Sequence, residues 1–436
     1  MTAASQPASA AGGPGPLGHD VVDGGTTAAR GFRAAAATGG LKASGAPDIA
    51  LLVSDAEASA AGVFTRSAFA AAPVRLDRAT LAASGGRARA VVANSGCANA
   101  VTGAPGDDAA RAMQAAAAAA VGCAPDRVLV LSTGVIGVPL DVAKVERGVR
   151  DAARRLAPDG GAAAAHAILT TDTRPKTAAR TVRLSGGIVV VGGMAKGAGM
   201  IHPDMATMLA VVTTDLVRAP DDLADDLRAA VAGSFNRISI DGDSSTNDSV
   251  LMLANGASGV RVDAAGGDDR AADVAAWRAA LLDLCQDLAR QIVRDGEGVR
   301  RLAVIEVVGA ADDAAAHRVA NTIATSPLVK TAFAGGDPNW GRIVAAAGRS
   351  GVAIDPARVG LSFAPGEGAA GERPVDGLVV LRDGLPVAFD DAAAGAILGG
   401  ETFTVRLDLG AGAGVATVWT GDLTEDYIRI NADYRT

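Results

Sequence analysis

Short apolar runs bounded by Gly, Ser or Asp recur along the chain. Ala90–Ala93, Val128–Leu131, Ile188–Val191, Ala210–Val212 and Ala303–Val308 are such runs, and their length and β-branched content predict buried strands. Other stretches carry helical spacing instead. Val274, Trp277, Leu281, Leu284, Leu288 and Ile292 follow steps of three and four, with Gly296 just past the end. Val142, Val145, Val149, Ala152 and Leu156 share one face of a second predicted helix. A third is predicted from Ser326, with Ser as N-cap and Pro327 at the first helical position. Met1 to about Gly25 is rich in Ala, Ser, Gly and Pro without a hydrophobic period, and reads as a disordered extension. The Gly- and Asp-rich stretches Asp263–Asp269 and Gly366–Gly371 read as surface loops. No Pro- or Ser-rich linker divides the remainder, and the irregular alternation of elements predicts a mixed, layered α/β fold.

Composition changes this picture in one respect. Hydrophobic residues make up 49% of the chain but aromatics only 3%, and there are 55 glycines. A core of Ala, Val and Leu lets backbones approach closely, so sites lined by backbone are expected rather than aromatic cages. With 40 Lys+Arg against 48 Asp+Glu, the net charge of −8 disfavours nucleic acid as a partner. Cys97, Cys123 and Cys285 are far apart, which predicts neither disulfides nor a zinc site and fits a reduced, cytoplasmic setting. His19, His166, His202 and His317 are equally scattered, so no metal centre is expected. No apolar run reaches the roughly 20 residues of a membrane span, and no basic residue precedes Arg30 to begin a signal peptide.

Candidate chemistry concentrates after Val189, where the chain reads V-V-V-G-G-M-A-K-G-A-G-M-I-H-P-D-M-A-T-M-L. A strand runs into a glycine-rich loop holding Lys196, then a polar turn at His202–Asp204, then Ala206-Thr207 at the head of another apolar run. A plain strand–loop–strand connection fits this pattern. A nucleotide loop fits less well, because neither G-x-G-x-x-G nor a Walker spacing is present. Thr207 opens a third reading. A threonine hydroxyl needs a base, and no histidine lies at a recognisable triad spacing. Self-cleavage of the Ala206–Thr207 bond would supply one: the freed α-amine of Thr207, with a reference pKa of about 7.7–8.0, can take the proton of its own hydroxyl.

The segment G-G-M-A-K-G-A-G-M-I-H-P-D-M-A-T-M-L resembles the signature of the ornithine acetyltransferase (ArgJ) family, the glutamate N-acetyltransferases of arginine biosynthesis. The resemblance runs along the whole chain from Gly31-Phe32-Arg33-Ala34-Ala35. It takes in A-N-S-G-C-A-N-A-V-T-G at Ala93–Gly103, S-T-G-V-I-G at Ser132–Gly137 and T-T-D-T at Thr170–Thr173. It continues through D-G-D-S-S-T-N-D at Asp241–Asp248, R-D-G-E-G at Arg294–Gly298, S-P-L-V-K-T-A at Ser326–Ala332 and G-G-D-P-N-W-G-R at Gly335–Arg342, and ends at Ile430–Thr436.

The resemblance implies an N-terminal-nucleophile-like α/β fold made as one chain. That chain cuts itself between Ala206 and Thr207 into an α chain (26–206 after the extension) and a β chain (207–436). Thr207 then accepts acetyl from N-acetylornithine and passes it to glutamate, and acetyl-CoA serves some members as a further donor; no cofactor is implied. Thr133 and Gly134 match the oxyanion-hole pair, although the residues alone favour an ordinary turn after the strand Val128–Leu131. Thr170, Lys196, Thr207, Glu297, Asn431 and Thr436 match the substrate-binding positions. Thr171 and Thr173 compete with Thr170, Lys196 suits a substrate carboxylate or a lowered nucleophile pKa, and Glu297 also reads as a surface charge at a helix end. Two α and two β chains are implied to associate. Cys97 stands where the motif commonly continues with Asn, and nothing in the sequence makes it a nucleophile. The Asp241–Asp248 run lacks EF-hand spacing and reads as a hydrogen-bonded turn. The rival enzyme is a self-processing aminopeptidase or amidase that delivers the acyl group to water. A binding protein with a dead site is disfavoured by the intact A-T pair and S-T-G turn.

Overall fold

The computed structural model describes residues 18–202, 208–262, 268–367 and 377–433. Two sheets and their helices account for most of them. The larger sheet has the order β1 (His19–Val21), β6 (Lys176–Leu184), β7 (Gly187–Lys196), β8 (Leu209–Thr214), β10 (Ser249–Ala254), β3 (Ile49–Phe64), β4 (Arg87–Cys97) and β5 (Val128–Val135). A further strand, β2 (Phe32–Ala37), pairs with part of β3. The smaller sheet runs β14 (Leu385–Pro386), β13 (Leu378–Arg382), β12 (Gly360–Pro365), β15 (Thr402–Asp408), β11 (Leu302–Ala310), β16 (Gly414–Gly421) and β9 (Ile238–Ser239).

The apolar runs in the sequence lie within β4, β5, β7, β8 and β11 as expected. β8 and β10 are buried along their whole length because both faces of the sheet are covered. Ala210, Val212, Val250 and Met252 face the helices Pro220–Ala232 and Asp268–Arg294, where Trp277, Leu281, Leu284 and Leu288 complete one core. Leu209, Val211, Leu251 and Leu253 face the other way, onto Phe32, Leu52 and Ile168. Ile238, Leu302, Val304 and Trp419 belong to the same core as the long helix, so the second sheet is joined to the first by shared packing. β11 and β15 pack their other side chains with Val319, Phe333 and Phe363.

Three elements depart from the sequence-based expectation. The extension proposed for Met1 to about Gly25 is ordered from its last third: His19–Val21 pairs antiparallel with β6, and His19 Nε2 lies 3.0 Å from Asp283 Oδ2. β6 would otherwise end the sheet as an open edge, and this strand covers it; residues 1–17 lie outside the described residues. The helix Pro327–Gly335 begins where predicted, but Ser326 makes no side-chain cap. Its start rests on the preset φ of Pro327 and on the Lys330 N–H donating to the Ser326 carbonyl. The helix Val142–Ala153 stops before Leu156. Of the predicted loops, 263–267 and 368–371 lie outside the described residues, Asp268 already opens the long helix, and Glu367 is paired with Arg294 and Arg290. No described helix is long and apolar enough to cross a membrane.

Leu284 sits fully buried where the long helix meets the sheet. Leu284→Ala is expected to lower unfolding stability by about 2–5 kcal/mol, through lost transfer energy and a residual cavity. Urea titration checks this as a lower midpoint at unchanged slope.

Candidate active site

The C-terminal ends of two parallel strands set the first wall. β4 and β5 run side by side until Cys97 meets both Thr133 and Val135, an irregularity at the S-T-G turn. Gly134 has φ +133°, and a Cβ there would lie 2.4 Å from Gly96 C and 2.5 Å from Cys97 N. Only glycine permits this approach of backbone on backbone. Two buried amides lock the turn. Asn94 Nδ2 donates to the Cys97 carbonyl at 2.9 Å and its Oδ1 accepts from Ser132 Oγ at 2.6 Å. Asn247 Nδ2 donates to the carbonyls of Ala98 and Ser132 at 2.7 and 2.8 Å. Cys97 itself is buried, its thiol directed to the Val138 carbonyl, and burial pushes its pKa up, which makes it inert.

Lys196 ends β7 and is held among hydroxyls and a carboxylate. Its Nζ donates to Thr170 Oγ1 at 2.7 Å and to Thr133 Oγ1 at 3.4 Å, and lies 3.7 Å from Asp172 Oδ2. Asp172 also accepts from the Thr170 and Gly197 N–H groups, at 3.0 and 2.7 Å, and from Lys176 Nζ. Burial alone would raise the Asp172 pKa, but Lys196 and Lys176 outweigh it and hold the carboxyl well below the usual range. Lys176 pairs in turn with Asp295, which also accepts from Thr173 N and Oγ1. The ambiguity among the three threonines is thereby reduced: Thr170 bonds Lys196, Thr171 lines the cavity, and Thr173 points to Asp295.

The opposite wall is acidic. Glu297 follows the long helix, yet it is only 7% exposed and so is no surface charge. Its N–H donates to the Ala198 carbonyl at 2.8 Å and its Oε2 accepts from Asn431 Nδ2 at 2.8 Å. Gly199 leaves room for it, since a Cβ there would fall 2.4–2.6 Å from the Glu297 carboxyl atoms. Asn431 lies on the helix Glu425–Asp433, which also brings Tyr427 to Asp241, with 3.3 Å between Tyr427 Oη and Asp241 Oδ2. Burial and the carboxylates of Asp241 and Glu297 push the Tyr427 phenol above its ordinary pKa. Burial likewise raises that of Asp241, against the pull of three N–H donors.

Between these walls lies a cavity of about 420 Å³. Thr133, Gly134, Thr170, Lys196, Glu297 and Asn431, six of the positions expected from sequence, all line it. Ala206, Thr207, Thr436 and also Asp204 lie outside the described residues; the chain resumes at Met208, and Leu209 pairs with Lys196 at the cavity's edge. His202 Nδ1 lies 3.3 Å from Ser239 Oγ. Asp172, Asn247, Asp241 and Tyr427 were not picked out by sequence reasoning, although the first three fall in the motifs T-T-D-T and D-G-D-S-S-T-N-D. The second of these is indeed a hydrogen-bonded turn, with Asp241 accepting from Asp243 N–H at 3.2 Å. Among the described residues no group of three His, Cys, Asp or Glu side chains is placed to hold a metal. The cavity thus offers one ammonium beside two hydroxyls at one end and carboxylates at the other. An amino acid, with charges of both signs, suits it.

Comparison with known proteins finds relatives along nearly the whole chain. The chain is 45% identical over 430 residues to the arginine biosynthesis bifunctional protein ArgJ of Thermosynechococcus vestitus, covering 95% of this chain and 99% of that one. It is 47% identical over 415 residues to the protein of the same name from Symbiobacterium thermophilum, covering 95% and 99%. Among solved structures, the ornithine acetyltransferase of Mycobacterium tuberculosis complexed with ornithine aligns at 42% identity and a TM-score of 0.40, over 43% of this chain and 98% of that chain. The model of the ArgJ family matches residues 33–436, and the chain belongs to that family.

Proposed function

We infer that the protein is a self-cleaving acyltransferase that moves acetyl from N2-acetyl-L-ornithine to L-glutamate through an acetyl-Thr207 intermediate, in arginine biosynthesis. The observation that carries this reading is the convergence of Thr133, Gly134, Thr170, Lys196, Glu297 and Asn431 on one polar cavity in a chain of the ArgJ family. In the proposed first event the Thr207 hydroxyl attacks the Ala206 carbonyl, the C–N bond breaks, and water hydrolyses the resulting ester. This yields chains 1–206 and 207–436. Both contribute to one sheet, since β8 and β10 lie between β7 and β3, so the pieces stay interlocked. We further propose that two such pairs associate, and that the enzyme is cytoplasmic.

In transfer, the Thr207 α-amine takes the hydroxyl proton as the oxygen attacks the acetyl carbonyl of N-acetylornithine. The developing oxyanion accepts from the Thr133 hydroxyl and the Gly134 N–H, with the Lys196 ammonium beside Thr133 adding a fixed positive charge. Ornithine leaves with the proton, and the glutamate amine attacks the acetyl ester in its place. One site thereby runs two similar acyl transfers without spending a fresh thioester. Glu297 and Asn431 are assigned to a substrate ammonium, Lys196 and Thr170 to a carboxylate, and Thr436 to substrate binding. Because its relatives are bifunctional proteins by name, we include acetyl-CoA as a second acetyl donor to the same hydroxyl.

Three outcomes test the reading. Intact-mass measurement should find the wild type as two fragments; Thr207→Ala should remain uncut and transfer nothing, and Thr133→Ala should slow both cutting and transfer. Hydrolysis of N-acetylornithine that is indifferent to glutamate would favour the amidase instead. Second, the α-amine works only when neutral. The rate kcat/KM should therefore fall as pH drops through about 7.7–8.0, the ordinary range of an α-amine, and level off above it. Third, Gly199→Ala keeps an allowed backbone but displaces the Glu297 carboxylate. It should raise the KM for N-acetylornithine by on the order of tenfold with the melting temperature little changed, as steady-state kinetics and a thermal melt will show.

A further inference from the structure

Glu297 is not the only carboxylate that joins the glycine-rich loop to the C-terminal helix. Asp241 does so too, and nothing in the proposed chemistry uses it. Met200 has φ +58°, a left-handed conformation that a side chain with a Cβ rarely adopts. Its effect is local and specific. The N–H groups of Met200 and Ile201 both reach the Asp241 carboxylate, Met200 N to Oδ2 at 2.6 Å and Ile201 N to Oδ1 at 2.9 Å. Successive N–H groups turned onto one anion are the geometry of a backbone nest, here filled by a side chain of the same protein. The Ile240 N–H returns a bond to the Ile201 carbonyl at 2.7 Å, fixing the two segments together. The same Oδ2 receives the Tyr427 hydroxyl at 3.3 Å. Gly199, Met200, Asp241, Tyr427 and Asn431 all line the cavity.

We propose that Asp241 is a positioning residue for substrate binding: its carboxylate holds Met200 in the left-handed conformation and anchors Tyr427, and so sets the acidic wall that Glu297 and Asn431 complete. It touches backbone and a phenol, and acts on substrate through them. Removing it frees Met200 to relax to an ordinary conformation, which shifts Gly199 against Glu297 and loosens the helix that carries Asn431. A glycine at position 200 carries no left-handed penalty, so it keeps the wall in place without the clamp.

This rests on the acetyltransferase reading for its kinetic readout, and amide exchange supplies a second readout that does not. Asp241→Ala should raise the KM for both N-acetylornithine and glutamate by on the order of tenfold, with a smaller change in kcat. Exchange at the Met200 and Ile201 amides should become faster. Adding Met200→Gly should recover much of the lost KM, and Tyr427→Phe alone should raise KM less and leave exchange at Met200 unchanged. Wild-type KM and wild-type exchange in Asp241→Ala would overturn the proposal, as would a folded double variant with no recovery. If Asp241→Ala does not fold, Asp241→Asn carries the test. It loses the charge and one of the two acceptor oxygens, so exchange must become faster at Met200 or at Ile201 or the proposal fails. A wild-type protein without transfer activity would sink the acetyltransferase reading alone, leaving the exchange measurement to decide the clamp.

Discussion

Four buried side chains of alternating charge, Lys196, Asp172, Lys176 and Asp295, tie the strand ends that line the cavity to the rest of the molecule. Lys176 and Asp172 are completely shielded from water and Asp295 nearly so. Taking such charges out of water is costly, and only close pairing with added hydrogen bonds offsets it. Here the added bonds come from backbone: Thr170 and Gly197 donate to Asp172, and Thr173 and Arg174 to Asp295. Removing one member of a buried pair typically costs about 3–5 kcal/mol, because its partner is left charged and unpaired. The chain is therefore a poor way to gain stability and an effective way to fix geometry. It aligns the start of β6, the end of β7 and the end of the long helix, the three places from which Thr170, Lys196 and Glu297 enter the cavity.

The scarcity of aromatic residues has its counterpart in this architecture. The polar face of the cavity is shaped by close backbone approaches at Gly134 and Gly199 and by amides reaching across strand ends. No described aromatic ring other than Tyr427 lines it. Alanine serves the same purpose in the cores. Ala34, Ala90, Ala164 and Ala165 are fully buried, and small side chains there let strands and helices lie close together. The run Ala115–Ala120 is explained in part by this. Ala117 and Ala118 face the core on the helix Gly103–Val121, whereas Ala115 and Ala119 are exposed and have no structural account.

What could be read from the sequence, and what could not, follows from the range of the interactions. Strands such as Val128–Val135 and Gly187–Lys196 announce themselves because burial on both faces requires unbroken apolar runs. The 16-residue β3 does not, because its middle, at Asp55–Glu57, emerges into solvent where its pairing with β4 shifts register. At the site, Thr133, Gly134, Lys196 and Glu297 were legible through motif resemblance. Asn247, Asp172 and Asp241 sat inside quoted motifs without a role. Their partners are distant in the chain: Asn247 reaches Ala98 and Ser132, and Asp241 reaches Met200 and Tyr427. Glu297 read more readily as a surface charge at a helix end until its burial beside Asn431 overturned that reading.

The position of β8 and β10 in the larger sheet has a consequence for how the molecule comes into being. Both strands follow residue 206, yet they are flanked by β7 and β3, which precede it. The first part of the chain, on its own, would be a sheet missing its middle, with two raw inner edges. The second would keep the smaller sheet but carry β8 and β10 with no neighbours on their outer sides. A cut at Ala206–Thr207 made before the larger sheet closes would leave its middle strands and their neighbours on separate chains. If self-cleavage is the route to the nucleophile, it has to be the last step of folding. Each severed molecule then carries in its covalent structure a permanent record that it once reached the native state.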